Sequence, residues 1–178
     1  MKSLLRDTAA IIVIAAVIIF GLQITAQKFV IDGPSMNDTF YSGQQLLVNK
    51  LVYKVHEPER GDIIVFFPPI NGDEEYIKRI IGLPGETVNI EDGTVVVIKA
   101  DGTSLELDEP YITKPSNRSY QGQVIGEANY FVLGDNRNNS SDSRSGWTTP
   151  IENITGKAWL SVWPPGRWGL ITNALAAQ

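Results

Sequence analysis

The amino-acid sequence predicts a mainly β domain behind one N-terminal membrane-spanning helix. Three observations lead there. Ala9 to Phe20 is an unbroken apolar run. The remainder breaks into short apolar or alternating stretches punctuated by Gly, Pro, Asp and Asn, and nothing after residue 27 sustains a helical period.

Composition narrows the chemistry. The chain has 178 residues and a net charge of −5. About 26 residues go to the N-terminal segment, which leaves ~150 for one domain with a proper core. The negative balance argues against nucleic acid as a partner. There is no cysteine and a single histidine, His56. This removes disulfides, thiol catalysis and Cys- or His-rich metal centres, so no metal or other cofactor is expected. His56 lies in the polar run His56–Arg60, which reads as a surface loop, and a Ser-His-Asp triad would have nothing else to use.

Residues 1–8 carry Lys2 and Arg6, which favours a cytoplasmic N-terminus. Extending the apolar run from Ala9 through Ala26 gives ~18 uncharged residues, about the minimum for a helical span. A cleaved leader ending at Ile24-Thr25-Ala26 is the competing reading, but Ile suits a small-residue site poorly. The reading is therefore an anchor over 9–26 and an extracytoplasmic domain over 27–178.

Phe29-Val30-Ile31 is a short strand leading into a turn at Gly33-Pro34. Gln45–Val48 follows the Ser42-Gly43 turn. Ile63–Phe67 is a continuous apolar run stopped by Pro68-Pro69, as expected of a strand buried on both faces. Tyr76–Ile81 is another strand, ended by Gly82-Leu83-Pro84-Gly85. Thr87–Ile90 and Thr94–Ile98 flank Glu91-Asp92-Gly93, a hairpin signal. From about 99 to 128 the composition turns polar, and this reads as a small β-rich excursion. Tyr130–Leu133 returns to the core. Trp147, Trp159, Trp163 and Trp168 all fall in the last third.

Two places offer chemistry. Ser35 stands on the Gly33-Pro34 turn just beyond the anchor, and a serine hydroxyl needs a neighbouring base to become a nucleophile. With no credible histidine the base must be another group, and a lysine can serve if it is held neutral. That requires a pKa near ~7–8 rather than ~10.4, a shift that burial supplies. Lys78 lies inside an apolar strand, sharing a face with Tyr76 and Ile80. An edge-strand lysine deterring aggregation is the other reading, and the strand alone does not choose. The second place is Gly134–Arg144, dense in hydroxyls, amides and charges. Either a solvated loop or the support of a buried amine accounts for it.

Four blocks decide between these readings: Ser35-Met36-Asn37-Asp38-Thr39-Phe40; Gly61–Phe66; Lys78–Glu86; and Gly134–Arg144. In that order behind an N-terminal anchor, they make the whole chain resemble a type I signal peptidase, the membrane-bound Ser-Lys serine peptidase that removes signal peptides from exported preproteins. The resemblance implies the coiled antiparallel sheets shared by signal peptidases and SOS repressors. It implies Ser35 as nucleophile and Lys78 as general base. Ser140 would hydrogen-bond the lysine amine, with Asp142 and Arg144 as a structural ion pair. It also implies an oxyanion site at the Ser35 N–H, and shallow pockets for small −3 and −1 residues walled by Phe29, Ile31, Met36, Phe40, Tyr76 and Ile77. Gly33 stands where some family members carry a hydroxyl donor and others glycine. Partners would be signal peptides and membrane lipid, the latter met by tryptophans, with a monomer as the expected state. Asp38 departs from the family's usual proline. A cap on the turn and a raised Lys78 pKa are the expected effects. The alternatives are a Ser-Lys autoprotease of the SOS-repressor kind, which lacks the anchor, and a non-enzymatic tethered β-domain.

Overall fold

The computed structural model of the chain describes residues 7–8, 10–14, 21, 25–70 and 72–176. Most of the expected anchor, residues 9–26, and of the segment before it lies outside these. Among the described residues, 10–14, 21 and 25 are helical, Ala26 already opens a strand, and no helix is long and apolar enough to cross a membrane.

Twelve strands follow among the described residues: β1 (Ala26–Val30), β2 (Gln45–Asn49), β3 (Ile63–Phe66), β4 (Tyr76–Gly82), β5 (Thr87–Glu91), β6 (Thr94–Ile98), β7 (Ser104–Glu106), β8 (Tyr120–Gln121), β9 (Asn129–Leu133), β10 (Thr149–Pro150), β11 (Ile154–Trp163) and β12 (Gly169–Leu170). They form a curled antiparallel sheet in the order β1-β2-β11-β3-β4-β9-β10, with β12 against β11, and a four-stranded sheet in the order β7-β6-β5-β8. The mainly β architecture is the one expected. The polar stretch read as an excursion from about residue 99 carries β7 and β8, which hang on the β5–β6 hairpin as part of the second sheet.

Side-chain alternation explains why β3 is apolar throughout. Ile63 and Val65 enter one core with Ile31, Met36, Phe40 and Ile77. Ile64 and Phe66 enter another with Ile80, Tyr130 and Trp147. All four β3 residues are buried, so neither face sees water. A third core joins Val88, Ile90, Val95 and Val97 of the second sheet to Ile81, Phe131 and Leu133 of the first. The β5–β6 hairpin closes through Asp92 (φ 48°) and Gly93 (φ 85°) between the paired Glu91 and Thr94. Positive φ at both turn positions is what a two-residue hairpin of this twist requires.

The C-terminal segment folds back onto this body. Asn173 Nδ2 donates to the Arg60 carbonyl oxygen (2.7 Å), and Leu175 is 1% exposed within the third core. Within Ala174-Leu175-Ala176 only Leu175 is packed, and the two alanines stay exposed. Leu175→Ala is expected to lower stability by about 2–5 kcal/mol, through lost burial plus a residual cavity. Urea unfolding followed by tryptophan fluorescence checks this.

Candidate active site

The Ser35 turn and β4 meet across 43 positions of sequence. β4 pairs with β3 on one side and β9 on the other, and it sets Tyr76, Lys78 and Ile80 on one face. The turn is anchored by Met36 and Phe40, which are sunk in the core beside Ile77. Its backbone closes through Asn37 N–H to the Pro34 carbonyl (3.0 Å) and Phe40 N–H to the Met36 carbonyl (2.7 Å). Ser35 is left half-buried at the tip.

Lys78 is 3% exposed, and its Nζ donates to Ser35 Oγ at 2.8 Å and to the Ile77 carbonyl oxygen at 2.9 Å. Burial pushes its pKa down from the ordinary 10.5 to about 8, against the pull of the Asp142 and Asp135 carboxylates, which favour the charged form. At about 1.4 kcal/mol per pH unit, the bias against the ammonium is worth about 3 kcal/mol. About a tenth of the amine is therefore neutral at pH 7 and about half at pH 8, in contact with a hydroxyl.

The loop after β9 grips this pair. The Asn136 N–H donates to the Ser35 carbonyl (3.0 Å) and its Nδ2 to the Pro34 carbonyl (3.1 Å). Gly134 permits that approach, since a Cβ there would lie 2.5 Å from the Ser35 carbonyl oxygen. Asp142 is 1% exposed. It accepts the Gly134 N–H (3.1 Å) and both arms of Arg144, each at 2.8 Å. The expected Asp142–Arg144 ion pair is present. Beneath it, the buried Arg79 guanidinium forks onto Asp135 (2.9 and 2.7 Å), which also accepts the Thr39 hydroxyl. Sequence reasoning missed Asp135–Arg79 and Asn136. Arg79 follows Lys78 on the strand, so alternation alone placed it on the opposite face, where an unshielded charge would demand a partner.

Two expectations need correction. Ser140 Oγ makes no hydrogen bond to the lysine amine. It is buried against Gly134 without a partner, and the hydrogen bonds of the amine go to Ser35 and Ile77 instead. Asp38 neither caps the turn nor bears on Lys78. Its carboxylate accepts the Thr113 hydroxyl, and the acids that act on the amine are Asp142 and Asp135. Asp38 has φ 85°, which a proline ring, fixed near about −65°, cannot adopt.

Ser35 and Lys78 open onto a cleft of about 560 Å³. Of the expected wall residues, Phe29, Gly33, Tyr76 and Ile77 line it. Ile31, Met36 and Phe40 do not; at 2%, 0% and 5% exposure they are core that props the wall from behind. Asp32, Glu74, Glu75, Asn139 and Ser141 line the cleft unanticipated. Glu74 and Glu75 immediately precede Tyr76 on the same strand path, a signal that was available. Gly33 offers no side-chain donor toward an oxyanion. His56 is exposed, as expected of a loop.

Comparison with known proteins follows the same lines. The family model described as signal peptidase, peptidase S26, matches residues 4–163. A probable signal peptidase I-2 of Synechocystis is 37% identical over 167 residues, covering 90% of this chain and 74% of its own. Signal peptidase I of Leptolyngbya laminosa is 37% identical, with 88% and 78% covered. A crystal structure of a signal peptidase I from Enterococcus faecalis superposes with a TM-score of 0.50 at 32% identity, covering 58% of this chain and 97% of that one.

The Lys78 amine should titrate with a midpoint near 8, followed by NMR of the ε-methylene or ζ-nitrogen. Asp142→Asn removes a carboxylate that favours the ammonium and should move the midpoint downward.

Proposed function

Since the chain belongs to the signal peptidase family, peptidase S26, we propose that it is a membrane-anchored endopeptidase that releases signal peptides from preproteins after a small-x-small motif, with Ser35 as nucleophile and Lys78 as general base. The observation that carries this reading is the 2.8 Å contact between a buried, largely dehydrated amine and a hydroxyl at the floor of an open cleft.

The chemistry follows from that contact. Neutral Lys78 takes the Ser35 proton as Oγ attacks the scissile carbonyl carbon. The carbonyl oxygen gains charge facing the Ser35 N–H. The ammonium then protonates the departing amine, and the acyl-enzyme is released by water that Lys78 deprotonates in turn. Asp142 and Asp135 hold the ammonium stable enough to exist as an intermediate. Burial keeps it ready to give the proton back.

The cleft suits an extended peptide. Phe29 and Tyr76 stand on facing strands, and a chain laid between β1 and β4 finds main-chain partners on both sides. Pockets walled by Phe29 and Ile77, with the packed core of Ile31, Met36 and Phe40 behind them, reject large side chains by clash. The apolar run ahead of β1 supports a tether, and the exposed Trp163 (51%), Trp168 (66%) and Leu170 (71%) support contact with a bilayer interface. Trp147, in contrast, is core.

Preprotein cleavage in detergent tests the whole reading. Ser35→Ala and Lys78→Met should each reduce kcat/KM by at least about 10³-fold, the upper range for losing a base or nucleophile. Activity should rise with pH through a midpoint near 8, because the amine must be neutral to accept the proton. Phe at −1 should abolish cleavage. A Lys78→Met enzyme of undiminished rate would refute the assignment.

A further inference from the structure

The segment joining β7 to β8 does more than connect strands of the second sheet. It runs as a strap along the active-site machinery. Tyr111 lays its ring 3.8 Å from the Arg79 guanidinium carbon, and Glu109 forks onto the buried Arg137. The Asn117 N–H donates to Asn138 Oδ1 (3.2 Å), and Asn138 Nδ2 returns a bond to the Pro115 carbonyl (3.0 Å). These contacts clamp the loop that carries Asp135 and Asn136. At Thr113 the strap crosses to the other partner: its hydroxyl donates to the Asp38 carboxylate on the Ser35 turn itself.

Asp38 is where that turn is under strain. Its φ of 85° is left-handed, which costs a non-glycine residue about 1–2 kcal/mol and persists only when surroundings enforce it. The inner side of the turn is fixed by Asn136 to Pro34 and Ser35 and by Thr39 to Asp135. The outer corner is fixed by Thr113. We propose that Thr113 is a positioning residue: its hydroxyl latches the strap onto Asp38 and holds the turn in the register in which Ser35 Oγ meets Lys78 Nζ. This rests on the Ser35–Lys78 reading above. It also gives Asp38 a purpose: an acceptor with tolerance for left-handed backbone serves at this corner, where a proline would serve neither need.

The test uses the full chain in detergent with two readouts: turnover of a signal-peptide substrate, and the acylation burst with p-nitrophenyl acetate, which needs no signal peptide. Ser35→Ala, lacking the burst, is the reference. Thr113→Val should slow both acylation and kcat by about tenfold, the scale of a sub-ångström misplacement. KM and the thermal transition should be unchanged. Thr113→Ser, which keeps the hydroxyl, should recover the rate. Asp38→Gly accepts the backbone angle but removes the acceptor, so it should match Thr113→Val, and the double variant should be no slower than either. Wild-type rates in Thr113→Val, a loss confined to KM, no recovery with Ser, or multiplied losses in the double variant would each overturn the latch. A wild-type chain that acylates with the ester but cuts no peptide would refute the substrate reading while leaving the latch measurable. Equal bursts from wild type and Ser35→Ala would overturn both.

Discussion

An amine deprived of water governs this site. Lys78 is almost completely buried, and burial turns a strongly basic side chain into one that releases its proton near pH 8. A fully dehydrated, unpaired ammonium would be costly enough to disrupt the core. A fully paired one would never be neutral. The site lies between these limits: Asp142 and Asp135 pull the amine toward its charged form while each is held by a guanidinium of its own, Arg144 and Arg79. Carboxylates so engaged exert a tempered field on the lysine rather than forming a direct ion pair with it. Much of the surrounding structure keeps that arrangement in place.

The scaffold divides the task. Strand β4 delivers Lys78 and Arg79 to opposite faces, so one side chain supplies the amine and the next fastens the loop beneath it. The glycine at 134 lets that loop touch the backbone of the Ser35 turn, and Asn136 fixes the contact. Hydrophobic packing adds to this: Met36 and Phe40 pin the turn from inside. Stability and reactivity thus draw on the same residues, and a core substitution under the turn disturbs both.

How much of this the sequence disclosed follows physical lines. Strands with continuous or alternating apolar residues were legible, as was the Asp92-Gly93 hairpin, because their signals are local. Lys78 is locally unusual in an apolar strand, but Ser35 and Lys78 are singled out by the order of the four sequence blocks, since a serine on a turn is ordinary. What escaped depends on distance in three dimensions. Whether Ile31, Met36 and Phe40 face a cleft or a core is a matter of which sheet covers them. That Ser140 lies against Gly134 and not the amine depends on how the loop after β9 folds back on itself. The membership of β5 and β6 in the second sheet required seeing β7 and β8 add to that hairpin. Asp38 was judged by charge and proximity in sequence. Its actual role is set by a threonine 75 positions away.

Strand β3 feeds two separate interiors from alternate residues, Ile63 and Val65 to one and Ile64 and Phe66 to the other. Inserting or deleting one residue there would send each set to the wrong compartment and shift every partner on β4 and β11. Homologous chains that differ in length are therefore constrained to differ elsewhere. The exposed turn between β6 and β7, around residues 100–103, is away from both that shared strand and the strap, and has room to lengthen or shorten without disturbing the centre.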